Sequence, residues 1–306
     1  MNKEYFHGIG KHYPYFEGWY LKHQSKGRTI AFIPAVHADA RGRWTASIQV
    51  IEDHGAWNFE YPIEACKINR SHFYVNIGGN IFSEKGISVD LSGGKPISGS
   101  RHSQGARIRG KLRFGEFHGI NGDIMGFFRF FPFLQCSHGI LSMSHSLAGS
   151  LEINGEKAVF SGGYGYVESD WGESFPRTYL WSQCGFGAAC QNSIMAAVAD
   201  VPILGVPLKG CICAIHYRGR EYRLATYRGG RILDYGKGVM TVRQDKYMLR
   251  ICRTEEKGFA LHAPHRGVMS RMIKENPACP VRYQLWENGK EIFDFISSQA
   301  SFEQVI

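Results

Sequence analysis

Turn signals recur along this chain at short, even intervals, and the residues between them alternate between apolar and polar. Gly78-Gly79-Asn80, Gly93-Gly94, Asn121-Gly122, Asn154-Gly155, Gly229-Gly230 and Asn288-Gly289 punctuate β-rich runs at 29–36 (TIAFIPAV), 44–51 (WTASIQVI), 72–77, 87–91 and 147–153. The second half continues at 193–201, 210–217, 222–227, 238–242, 247–253, 258–262 and 281–286. Asn-Gly in a two-residue loop supplies the positive φ angles of a type I′ hairpin. Strands spaced roughly 8–12 residues apart indicate a sandwich or barrel. The 37 glycines, with 20 Phe, 15 Tyr and 6 Trp, suit short strands joined by tight turns. Only 269–275 and the last residues read as mildly helical. The expected class is all-β, with few short helices.

The 306 residues exceed one ordinary domain and suit two. A faint internal echo agrees. Trp19 opens a segment reaching Ala35-Val36-His37-Ala38-Asp39, and Trp181 opens one reaching Ala197-Val198-Ala199-Asp200, over spans of 20 and 19 residues. Chance in a Trp-rich β protein also accounts for it. The N-terminal residues carry no apolar run of signal-peptide length, and no stretch is long and apolar enough for a transmembrane helix. A cytoplasmic protein is expected. The eight cysteines, at 66, 136, 184, 190, 211, 213, 252 and 279, include no CxxC pair, and Cys211-x-Cys213 alternates as strand residues do. They read as reduced, mostly buried thiols, with no metal site.

The net charge is +9. Its densest basic stretch, 107–113 (RIRGKLR), sets Arg107, Arg109, Lys111 and Arg113 at every second position, as on a strand with one solvated face. The competing reading is contact with an anion or a membrane surface. No recognition helix or RNP-like motif accompanies the charge, so nucleic acid is not expected. The run 124–134 (IMGFFRFFPFL) carries Phe127, Phe128, Phe130, Phe131 and Phe133. It is either a core strand and turn or an apolar lip around a ligand mouth.

Carboxylates sit among aromatic rings in two stretches, 15–22 (YFEGWYLK) and 165–172 (GYVESDWG), the second continuing to Cys184. On a strand, Tyr166, Glu168 and Asp170 share one face. If that face points inward, desolvation and like charge keep one carboxyl protonated near neutral pH, and a protonated carboxyl in an apolar cavity is a usable general acid. If it points to water, both are ordinary surface charges. Glu17, beside Phe16, Trp19 and Tyr20, is either a second acid or the partner of a nearby cation. His145 is either an orienting group or a hydrogen-bonded structural histidine. No G-x-S-x-G elbow is present, and no G-x-G-x-x-G or P-loop, so nucleotide cofactors are not indicated.

The runs PYFEGWYLK, HGILSMSHSLAGSLEING and GGYGYVESDWGESFPRTYLWSQC resemble, in order and spacing, the signature blocks of the tocopherol cyclase family. That family is in turn similar to carotenoid hydratase-like and lipocalin-like Diels–Alderase proteins. The resemblance implies two consecutive lipocalin-like antiparallel β-barrels, over 1–174 and 175–306, with the acidic-aromatic block near their junction. It also implies a hydrophobic ligand and a cofactor-independent, acid-catalysed cyclisation or hydration of a prenylated aromatic or other isoprenoid. The plant members close a prenylated hydroquinone into a chromanol ring. On that basis Asp170 is the first candidate for proton donor and Glu168 tunes it, with Glu17 and His145 as further acids or orienting groups. Trp19, Tyr20, Tyr166, Trp171 and Trp181 would line the pocket, and Gln183 would bind the ligand's oxygen or orient a carboxyl. The alternative is a non-catalytic, lipocalin-type carrier of a hydrophobic ligand. A third is a membrane-surface or protein-interaction module built on the Phe-rich run and the basic strand.

Overall fold

Glycine and asparagine turns fold successive strands back on one another, and the chain builds two antiparallel sheets. The computed structural model describes residues 5–306 apart from 9, 11–12, 98–104, 132–133, 188–190, 204–205 and 256–257, and apart from the side chains at 202, 203, 206 and 207. Cys190 and Phe133 lie outside the described residues.

The first sheet comprises β1 (Tyr15–Ser25), β2 (Arg28–Ala38), β3 (Trp44–Glu52), β4 (Gly55–Pro62), β5 (Cys66–Ile68), β6 (Tyr74–Ile77), β7 (Asn80–Ser83), β8 (Gly86–Ser92), β9 (Lys95–Pro96), β10 (Arg107–Phe114), β11 (Cys136–Ile153), β12 (Glu156–Val159) and β13 (Tyr164–Gly172). Its spatial order is 5-6-7-8-10-11-13-1-2-3-4-9, with β12 beside β11. The second comprises β14 (Tyr179–Phe186), β15 (Asn192–Ile203), β16 (Val206–Tyr217), β17 (Arg220–Ala225), β18 (Arg231–Gly236), β19 (Val239–Gln244), β20 (Tyr247–Arg253), β21 (Phe259–His265), β22 (Val268–Glu287) and β23 (Lys290–Val305). Its order is 17-16-15-14-23-22-20-19-18, with β21 beside β22.

Each sheet encloses its own apolar cluster. Trp19, Leu21, Phe32, Ile48, Trp57 and Phe82 belong to the first, and Leu180, Ile194, Leu224, Val242, Tyr283 and Phe302 to the second. A third cluster takes residues from both sheets, among them Tyr20, Ile51, Tyr166, Tyr179, Trp181, Met195 and Ile273. The strands that supply it are covered on both faces, which is why ten of the eleven residues of β1 are buried. The echo between Trp19 and Trp181 falls on equivalent hairpins, β1–β2 and β14–β15. The two indoles go to different places, Trp19 into the first core and Trp181 into the layer between the sheets.

Two segments differ from their reading in the sequence. Residues 269–275 and the C-terminal residues are strand, not helix, in β22 and β23. From Val268 to Glu275 burial alternates residue by residue. Met269 and Ile273 are four apart, a spacing that both a helix face and a strand face satisfy. The Phe-rich run is not a core strand. It forms a 3-10 turn, Gly126–Phe130, at the rim of the cavity described below. The basic stretch is β10, with Arg107, Arg109, Lys111 and Arg113 exposed and Arg109 bonded to Glu152 at 2.9 Å. Among the described residues no helix is long and apolar enough to cross a membrane.

Candidate active site

The layer between the sheets holds a cavity of about 230 Å³. Phe16, Gly18 and Tyr20 of β1, Ile33 and Ala35 of β2, and Glu168 and Asp170 of β13 form one wall. Tyr179 and Trp181 of β14, Ala197 and Ala199 of β15, Ile273 and Glu275 of β22 and Glu303 of β23 form the other. Met125 and Phe128 of the Phe-rich turn, with Leu134, Phe175, Pro176 and Leu208, add to the lining. The hollow therefore sits between the sheets, while each sheet's own interior is filled by its apolar cluster.

Strand periodicity carries Glu168 and Asp170 to the same face, and that face looks into the cavity. Glu168 is only 4% exposed. Its Oε2 accepts hydrogen bonds from the Tyr166 hydroxyl and, at 3.2 Å, from Trp181 Nε1. Burial raises the Glu168 pKa, the Asp170 charge adds to the rise, and the His138 charge opposes it. His138 lies directly opposite Asp170 on β11. Its Nδ1 is 2.8 Å from Asp170 Oδ1, and its Nε2 is 3.4 Å from Glu168 Oε2 without forming a hydrogen bond. Burial disfavours the imidazolium, but the Asp170 and Glu168 carboxyls outweigh it and raise the His138 pKa. Burial thus favours the protonated form of Glu168, while the neighbouring carboxyls favour the protonated form of His138.

Two further carboxyls come from the second sheet. Glu275 and Glu303 face one another across β22 and β23. The Tyr20 hydroxyl donates to Glu275 Oε1 at 2.5 Å, and the Tyr179 hydroxyl donates to Glu303. Burial raises Glu275 to about 7. It raises Glu303 well above the usual range, with help from Asp170 and Glu168. Three tyrosine–glutamate pairs thus surround the cavity, and apolar rings fill the space between them.

His138, Glu168 and Asp170 can bring one ligand atom each within 4.8 Å of one another, as a metal site requires. The donors do not favour one. Two hydrogen-bond donors already converge on Glu168 Oε2, and the imidazole meets the two carboxyls through different nitrogens.

Of the residues singled out in the sequence, Glu168, Asp170, Tyr20 and Trp181 line the cavity, and Tyr166 stands behind Glu168. Five others lie off it. Glu17 is on the opposite face of β1 from Phe16, where it accepts from the His7 backbone and the Tyr15 hydroxyl at 2.8 and 2.6 Å and meets His7 Nδ1 at 2.8 Å. Trp171 stacks on His7, with ring centroids 3.9 Å apart. Trp19 is packed in the first core beside Phe73. His145 is wedged between Phe114 and Phe117, with Nδ1 3.0 Å from Ser142 Oγ. Gln183 is buried further along β14, opposite Ser301, with its Oε1 unpartnered.

The sequence reading missed His138, Glu275, Glu303 and Tyr179. His138 stands in the same run as His145, seven residues earlier. Their odd separation on one strand puts them on opposite faces of the ideal pleat, and register shifts at Ile140–Ser142 and Ser142–His145 break that phase further. Glu275 and Glu303 fell in the two segments read as helical.

Residues 95–304 match the tocopherol cyclase-like family. The chloroplastic tocopherol cyclase of Zea mays is 28% identical over 198 residues, covering 58% of this chain and 41% of that protein. The chain thus matches about two-fifths of the length of such relatives. Among solved structures, CghA with Sch210972 covers 95% of this chain and 88% of its own, at a TM-score of 0.54 and 11% identity. Kievitone hydratase from Nectria haematococca covers 98% and 92%, at a TM-score of 0.51 and 11% identity. At those identities the likeness is one of fold, and it extends over both sheets. With two thirds of its length matched, this chain belongs to the tocopherol cyclase-like family.

Proposed function

We propose that the protein is a cofactor-independent acid catalyst that cyclises or hydrates an isoprenoid-bearing lipid, with Glu168 as proton donor. The observation that carries this is a buried carboxyl that faces a largely apolar cavity, is backed by oriented hydrogen-bond donors and has its pKa raised by burial. Relatives named tocopherol cyclase and a neighbour named hydratase support the reaction class.

The acid's difficulty is that burial, which holds the proton in place, also weakens it. Tyr166 and Trp181 address this. Both donate to Oε2, so as the proton leaves Oε1 the forming carboxylate is met by dipoles already in position, which need no reorganisation. The nearby imidazolium of His138 acts in the same direction, and Asp170 holds that imidazole in place. On this reading Glu168 is the donor and Asp170 the orienting group, the reverse of the roles expected from the sequence.

Protonation of a trisubstituted alkene places a cation on the tertiary carbon. Tyr20, Trp181, Tyr179, Phe16 and Phe175 present rings to the cavity, and each well-placed face is worth about 0.5–2 kcal/mol to a cation. A phenol oxygen of the same molecule then forms the C–O bond, and its proton passes to the carboxylate, restoring the acid. Water in place of the phenol gives hydration. Holding nucleophile and alkene together contributes up to ~7–11 kcal/mol.

The test is turnover of a prenylated hydroquinone by Glu168→Gln, with binding followed separately by native mass spectrometry. A general acid contributes roughly 10²–10⁴-fold, so turnover falls by that factor while the lipid is still retained. Wild-type turnover declines as pH rises through the raised Glu168 pKa and is unaffected by a chelator. Undiminished turnover by Glu168→Gln rules out the assignment. Retention of unaltered lipid by the wild-type protein makes it a carrier.

A further inference from the structure

Between Ile124 and Leu134 the chain leaves the first sheet, makes the 3-10 turn and returns to β11. Two phenyl rings of this turn face outward, Phe127 at 50% and Phe130 at 65% exposure. Neither lines the cavity, yet Met125 and Phe128 of the same turn do. Leu208, 47% exposed, stands at the same mouth. Exposed rings of this size, grouped at the entrance of an apolar hollow, mark an interaction surface.

The turn is held stiffly against the second sheet. The Tyr227 ring packs edge-on against Phe127 and Phe128, at 6.2 and 6.1 Å, and its hydroxyl donates to the Ile124 carbonyl at 3.0 Å. Gly126 has a φ of +56°, and a Cβ there would stand 2.5 Å from the Tyr227 ring. The rings are therefore presented outward by a braced scaffold. Cations stand by the turn and the mouth. Arg129 lies over the Phe130 ring at 4.6 Å, Lys209 lines the mouth, and Arg228, next to Tyr227 in the chain, is exposed. Asp123, 3.8 Å from Arg129, and Asp200, 3.1 Å from Lys209, offset two of them. The attraction to an anionic surface then comes chiefly from the chain as a whole, whose net charge is +9.

We infer that this turn seats the protein on an anionic lipid bilayer, with Phe127 and Phe130 at the headgroup–acyl boundary and the cavity mouth against the membrane. Apolar rings inserted to that depth, with cations at the level of the headgroups, are the pattern by which proteins lie on such a surface. A lipophilic ligand then passes from bilayer to cavity without crossing water. The inference rests on the reading that the cavity takes a lipid.

The experiment is flotation of the full chain with phosphatidylcholine vesicles containing about 30% phosphatidylglycerol, comparing wild type with a Phe127→Ser, Phe130→Ser double variant. Both positions are exposed, and a thermal melt verifies that the variant is folded. The double variant is expected to lose roughly ten- to a hundredfold in partition. Raising salt to about 0.5 M lowers wild-type partition by less than that, since screening removes only the electrostatic part. The double variant turns over a short-chain, water-soluble substrate at the wild-type rate. Equal partition of the two proteins, or a wild type that does not float, overturns the inference, and a protein partner for the patch is then the surviving reading. Glu168→Gln floats as wild type does, so failure of the membrane seat and failure of the acid are separately visible.

Discussion

Glu275 shows at the scale of one residue what burial does to charge. It sits opposite Glu303 with a tyrosine hydroxyl as its hydrogen-bond donor, and its pKa is pushed up to about 7, mainly by desolvation. A carboxyl whose folded pKa exceeds its unfolded value favours the native state most at low pH. That contribution is full below the unfolded value of 4.5 and is lost as pH rises to about 7. Replacing the group with the neutral isostere in Glu275→Gln removes this dependence. The melting temperature of the variant relative to wild type is expected to climb between pH 5 and pH 8, by the equivalent of roughly 2–3 kcal/mol. A difference that is flat across this range removes the buried-charge account. The neighbouring Glu168–Tyr166 arrangement was legible in the sequence, because two residues on one strand share a face wherever the strand goes. Its partners His138, Glu275 and Glu303 were not legible. They reach the cavity through strand pairings that no local pattern encodes.

At the scale of elements, the β21–β22 hairpin ties the sheets together. Gln49 of β3 donates through Nε2 to the His262 carbonyl and accepts the His262 N–H at Oε1, both at 2.8 Å. At the hairpin tip the Gly267 N–H donates to the Glu173 carbonyl at 2.8 Å. Gly267 has a φ of +70°, and a Cβ there would stand 1.9 Å from the Ala38 carbonyl oxygen. Glycine is required at this point for both conformation and space. Gly267→Ala is expected to cost about 1–3 kcal/mol, read as a lower melting temperature. Because Leu261, His262, Pro264 and Met269 of the hairpin line the cavity, the variant should also release bound lipid faster. A variant with unchanged melting and retention would show that the hairpin tip is not a clamp. The strand character of this hairpin was half legible. The run 258–262 alternates clearly, whereas the four-residue spacing of Met269 and Ile273 concealed the start of β22.

For the whole molecule, turn spacing and alternation were enough to indicate an all-β chain with antiparallel sheets, since those signals are local. The position of the cavity was not, because it depends on how two finished sheets meet. Tyr179, Trp181, Met195, Leu261 and Ile273 from one sheet pack against Tyr20, Ile51, Ile140 and Tyr166 from the other. Residues 175–306 produced alone would expose that layer, together with Glu275 and Glu303. They are expected to bind a dye specific for exposed apolar surface or to aggregate, while the full chain does neither. A soluble, dye-silent fragment would show that the contact between the sheets is dispensable.

A guest lodged between the sheets touches both, and unfolding must expel it. Its binding free energy is therefore added to the stability of the empty protein, by about 2.7 kcal/mol at a concentration one hundredfold above its dissociation constant. Thermal denaturation in the presence of a panel of candidate lipids thus reports occupancy directly, without an assay for chemistry. The compound that most delays melting identifies what this seam is shaped to hold.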